Sequence, residues 1–190
     1  MNLRKYLKKN IIIFCGITNL FFCLQCSNNG AKPDVVKIFK EYEFYAKEIN
    51  CYDSIKQDLV LAVKIGIEDT SSIAVLKEII DTKIQYFSIR NKMNSLHKGC
   101  DSLSLKFEEG CELSEKLNRL IRDLTVEEES VERLRILVLD IVNPHEFTEV
   151  KNDFVKSKEF VIDKINTKKI EMEKLEKQFN EIKAEFFNNN

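Results

Sequence analysis

FTEVKNDFVKSKEFVIDKINTKKIEMEKLEKQFNEIKAEFF, Phe147 to Phe187, is the stretch that decides the fold. Phe147, Val150, Phe154, Val161, Ile165, Met172, Leu175, Phe179, Ile182 and Phe186 recur in steps of three, four or seven. That spacing returns side chains to one face of an α-helix, whereas a strand would need a period of two. No Gly or Pro interrupts it, and Lys158 and Lys177 fall off the apolar stripe. The pattern predicts a helix over about 146–187, roughly 42 residues and ~63 Å long. A lone amphipathic helix of that length has nowhere to bury its stripe, so the preceding chain must supply partners.

Those partners are legible upstream. Leu103, Phe107, Gly110, Leu113, Leu117, Leu120 and Leu124 keep helical spacing, and Val131, Leu134, Val138 and Ile141 resume it beyond Glu127-Glu128-Glu129. Pro144 cannot continue a helix and disfavours it at Asn143, so the pattern predicts a rod over about 101–142. The alternative is a break at Thr125, where Thr-Val-Glu-Glu matches a capping box. Ile73, Leu76, Ile80, Ile84 and Phe87 predict a helix over about 71–97, with Gly99 as its stop. Val35, Ile38, Tyr42, Tyr45, Ile49, Tyr52, Leu59 and Val63, with Lys56 as the one polar member of the series, predict a single helix over about 34–65. Gly66 closes it, and Asp69-Thr-Ser-Ser offers N-caps for the next. Connections at 66–69, 98–101 and 143–145 are short enough to favour antiparallel neighbours. The expected fold is all-α: an antiparallel up-down-up-down helical bundle over 34–190, its long C-terminal helical hairpin projecting beyond the first two helices.

Composition agrees with this and narrows the function. Five Gly, two Pro and 32% charged residues in 190 suit a helix-rich single domain. The first 25 residues hold four of the 30 basic residues and none of the 31 acidic ones, so the remainder carries a net charge of −5. Nucleic acid is excluded as a partner, because phosphate binding needs a positive surface. The two histidines, His97 and His145, sit near predicted helix ends and do not form a metal site, and Glu127 to Glu129 reads as a solvated face. No glycine-rich phosphate loop, nucleophile elbow or H-E-x-x-H occurs, so we expect no enzyme, no cofactor and no small-molecule substrate.

The N-terminus is organised differently. A basic segment is followed by 14 apolar-rich residues, Ile11 to Leu24, and then by Gln-Cys-Ser-Asn-Asn-Gly-Ala-Lys-Pro. The run is too short to span a bilayer but fits a signal-peptide core. Cys26, with Leu24 and Gln25 before it and a polar tether after it, resembles the lipobox cysteine of bacterial lipoproteins. The competing cysteine, Cys23, has the bulky Phe22 before it and would leave Leu24 in the tether. Residues 1–25 then form a lipoprotein signal peptide, and 26–33 the lipidated cysteine and a flexible tether. The relaxed lipobox, the asparagine-rich tether and 24 Lys against 6 Arg are similar to the spirochaetal, Borrelia-type lipoproteins. That resemblance covers about the first 33 residues and the general composition. It implies acyl attachment to the bilayer, often at the outer membrane surface, and a helical body that binds a host protein. A periplasm-facing structural or assembly role is the alternative.

Three cysteines remain in the body: Cys51, Cys100 and Cys111. Spacing leaves open a loop bridge between Cys100 and Cys111, a bridge involving Cys51, or free thiols. Pro144, His145 and Phe147 gather in one short connection, where Phe147 either anchors a partner or caps the core. Replacing Cys26 with Ala should abolish labelling by radiolabelled fatty acid and release the protein from membranes. Retained label would assign the modification to Cys23, and retained anchoring without label would indicate an uncleaved span.

Overall fold

The computed structural model describes residues 33–67, 69–108, 110–138 and 147–189. Over them the chain forms five α-helices and no strand: α1 Pro33–Glu48, α2 Tyr52–Ile65, α3 Thr70–Ser104, α4 Glu112–Leu137 and α5 Phe147–Asn189. The all-α expectation holds, and α5 covers the stretch whose periodicity announced it. The end of the expected 101–142 rod and the connection after it lie outside the described residues.

Cross-helix bonds define the arrangement. Lys151 Nζ donates to Ser72 Oγ, Lys158 Nζ to Glu78 Oε1, and Lys169 Nζ to Gln85 Oε1, at 2.7, 2.7 and 2.8 Å. Lys92 pairs with Glu176, and Gly99 meets the ring of Phe179. Residue numbers on α3 and α5 rise together through all five contacts, so the two helices run parallel over nearly the whole of α3. α5 therefore lies alongside α3, and with 43 residues against 35 it is the longer of the two. α4 runs against α5, since Lys116 bonds Glu185 while Lys168 bonds Glu127.

Two apolar cores share α3. The C-terminal half of α3 packs with α4 and α5 around Met93, Leu96, Leu103, Leu117, Leu124, Val161, Ile165 and Met172. The N-terminal half, through Leu76 and Ile80, packs with α1 and α2 around Val35, Ile38, Ile55, Leu59 and Ala62. Phe87 touches both cores. Each such side chain, fully buried, contributes about 1.5–3 kcal/mol of transfer free energy.

The first predicted helix is broken. Asn50 adopts φ 56°, the left-handed conformation, and ends α1. The Cys51 N–H bonds Ala46 O at 2.9 Å and the Asn50 N–H bonds Lys47 O at 3.3 Å. The same pair of bonds closes α2, where Ile67 N–H bonds Ala62 O and Gly66 N–H bonds Val63 O. Both are Schellman stops, with Asn standing at the first where Gly stands at the second. The break rotates the next helix about its axis, so α2 buries Ile55, Asp58, Leu59 and Ala62, and leaves Tyr52 and Lys56 half-exposed. Tyr45, expected inside, is exposed, and its neighbour Ala46 takes the buried position on α1.

Two glycines exchange the roles expected of them. Gly99 does not stop a helix: α3 continues through it to Ser104. Gly110, expected inside a rod, has φ 82° in the loop that separates α3 from α4. α4 starts with Cys111 as its cap, the Sγ accepting from Ser114 N–H at 3.3 Å, a residue type that gives little capping signal in a sequence. The helix is continuous through Thr125, whose hydroxyl donates to Ile121 O at 2.9 Å and does not cap a new start.

A Cβ added at Gly99 would lie 2.7 Å from Phe179 Cζ, so this glycine permits the close approach of α3 and α5. Gly→Ala in a helix interior ordinarily gains about 1 kcal/mol, and overpacking costs about 1–3 kcal/mol. Gly99→Ala should therefore destabilise the bundle by about 1 kcal/mol. In a Phe179→Leu background the same change should become stabilising. Denaturant unfolding of the four-member cycle measures the reversal.

Candidate functional site

The most enclosed polar group in the bundle is an ion pair. Asp58 shares the inward face of α2 with Ile55 and Leu59, and Lys83 lies on α3 between Ile80 and Tyr86. Lys83 Nζ donates to Asp58 Oδ2 at 2.6 Å, with both residues 1% exposed. Neither stands out in the sequence, where Asp58 falls off the apolar series of its helix. Cys51 lies close by, its thiol pushed up to about 11 by burial and drawn back only partly by a backbone bond and the Lys83 charge. Both side chains are closed off from solvent, so the pair's contribution is to position the helices. Two opposite charges held at one height lock α2 to α3 in a single register.

A second polar contact plays the same part between α4 and α5. Lys168 donates to Glu127 at 2.6 Å and also bonds Glu171. Burial works against the Lys168 charge, but the two carboxylates outweigh it and its pKa is raised. Glu127 is thus turned inward, at the position between Leu124 and Val131 on the apolar stripe of α4, and only Glu128 and Glu129 belong to the exposed face expected for all three. Lys158 is corrected likewise. It lies between Phe154 and Val161 on the seam of α5 and bonds Glu78, whereas Lys177 is exposed as expected. Asp69 caps α3 by accepting from Ser72 N–H at 2.7 Å, and hydrogen bonds from Ser71 and Ser72 hold its carboxyl well below the usual range.

The three body cysteines are free thiols. Cys51 and Cys100 are buried, and Cys111 is half-buried in its capping role. Burial pushes Cys100 up to about 11, so at neutral pH both interior thiols are protonated and unreactive. His97 Nε2 stands 3.7 Å from Glu128 Oε2 and is enclosed without a hydrogen-bond partner. Among the described residues no group of three His, Cys, Asp or Glu is placed to hold a metal ion. Cys23, Cys26 and residues 27–32, and Pro144 and His145, lie outside the described residues, while Pro33, expected in the tether, opens α1 and Phe147 is the first residue of α5.

What the bundle offers to a partner is its surface. On α5, Val155, Phe160, Ile162 and Ile170 are exposed, and on α1 so are Val36, Phe44 and Tyr45. The Phe44 and Tyr45 rings meet edge to face at 5.7 Å, with Phe44 63% exposed. Periodicity marks only the stripe that faces the core, which is why a sequence does not reveal these side chains as a surface. Among the described residues no helix is long and apolar enough to cross a membrane. No family model, curated protein or solved structure matches this chain.

The buried pair yields a sharp test. Lys83→Met alone removes the buried cation that pairs with Asp58 and should cost about 3–5 kcal/mol. Combining it with Asp58→Leu should restore most of that stability, because two apolar residues of similar volume replace both charges. Chemical denaturation of the single and double variants measures the recovery.

Proposed function

We propose that this chain is a membrane-anchored surface lipoprotein whose helical body is a non-enzymatic binding module for a host protein. One observation carries the reading: a basic segment, a short apolar run and Cys26 precede a helical body that begins at Pro33, seven residues beyond that cysteine. The order is that of a lipid anchor, a tether and a self-contained domain. Two or more acyl chains, at about 0.8 kcal/mol per buried methylene, make such an anchor durable. The domain supports the reading with large apolar side chains held outside both cores. Isolated exposed apolar residues are ordinary, but Val155, Ile162 and Ile170 recur along one outward face of α5, while Phe160 stands out on another side of the same helix.

A host protein would meet this face of α5 or the connection around Pro144, His145 and Phe147. Protease added to intact cells should remove the helical domain, and protection there would overturn surface display. Capture of a partner by the lipidated protein should be lost on replacing Ile162 and Ile170 with Glu, if α5 carries the contact. It should instead be lost on replacing the 143–147 connection with a neutral turn, if the connection does. Binding that survives both replacements would move the site elsewhere on the bundle.

A further inference from the structure

The outer face of α1 is the part of the bundle whose chemistry points to a specific neighbour. α1 buries Val35, Ile38 and Ala46 against α2 and α3, yet presents Val36, Lys37, Lys40 and Phe44 on the opposite side. At 100° per residue these four fall within an arc of about 100°. Tyr45 flanks them, its ring against Phe44; Lys47, paired with Glu43, falls inside the same arc, and the exposed Glu41 and Glu48 border it. This face thus offers a phenylalanine and a valine to the interfacial layer and lysines to the headgroups above it. Neither core uses these apolar groups, so packing gives no account of them.

We propose that this face of α1 contacts the surface of the bilayer to which the chain is attached. The inference rests on the reading of Cys26 as the lipidated residue. Cys26 and Pro33 are seven residues apart, a reach of at most about 25 Å, less than half the ~64 Å length of α5. The N-terminus of α1 is therefore held within that reach of the headgroups. Its exposed lysines suit anionic headgroups, and its apolar side chains suit the interfacial layer beneath. α1 advances along α3 in the same sense, as Lys77 to Glu41 and Asn91 to the Ile49 carbonyl show. With α1 on the lipid, the bundle lies along the bilayer and does not stand upright on its tether, and the outward side chains of α5 are left for a partner.

The chain contains no tryptophan, so a single introduced indole reports its own surroundings. The lipidated full-length protein carrying Phe44→Trp, and separately Phe160→Trp, would be reconstituted in phosphatidylglycerol–phosphatidylcholine vesicles containing brominated lipid. The indole at position 44 should emit to the blue of its value in water and be quenched several-fold more than the one at position 160. Adding Lys37→Glu with Lys40→Glu should reduce that quenching, more on anionic vesicles than on phosphatidylcholine alone. Fatty-acid label and vesicle attachment retained, with both indoles equally in water, would overturn the contact while leaving the anchor in place. Loss of both label and attachment would overturn the reading of Cys26 and this inference with it.

Discussion

The structure depends on the parallel packing of α3 and α5. Parallel neighbours cannot be joined by a tight turn, so the chain must travel the length of the bundle between them, and α4 is that return. Close approach at one point sets the spacing: Gly99 lacks the Cβ that would strike Phe179. With that contact in place, the C-terminal half of α3 is closed over by α4 and the N-terminal half is left for α1 and α2. α4 with α5, and α1 with α2, each build an apolar core on α3.

Apolar seams alone specify such an arrangement weakly, because a stripe of Leu, Ile and Val packs almost equally well one turn up or down. Polar residues set into the seams remove that freedom. Lys83 and Asp58 between α3 and α2, and Lys168 and Glu127 between α5 and α4, satisfy each other at one register only. A slip of one turn would strand a charge in an apolar wall, at a cost of several kcal/mol. Cross-helix pairs also explain why the apolar series is incomplete at Lys158 and Lys168: the first, half-exposed, reaches Glu78 and the second, largely enclosed, reaches Glu127.

The surface follows a different logic from the interior. Core-facing residues repeat with the helix and can be read from spacing, whereas exposed apolar residues such as Leu105, Ile136 and Phe160 stand outside the core stripe and are not marked by it. They become visible only when the structure shows which faces other helices have covered. The proposed functions rest on two kinds of information, the order of segments around Cys26 and the uncovered faces of α1 and α5, and neither substitutes for the other.

Periodicity and punctuation by themselves determined the helical class, the limits of α5 within about two residues and the stop at Gly66, because local spacing and a glycine at a left-handed position act over a few residues. Tertiary structure decided the rest. Asn50 ends a helix because the Schellman bonds buried Ala46 and Cys51 together, while the same residue type could have continued an exposed helix. Gly99 lies in mid-helix because a phenylalanine 80 residues away occupies the space its Cβ would need. Asp58 and Lys83 are interior because each finds the other across two helices, and a charged residue shows no sign of its partner in its own segment. Contacts between residues far apart in sequence leave no periodic trace, so they emerge only when the helices are packed.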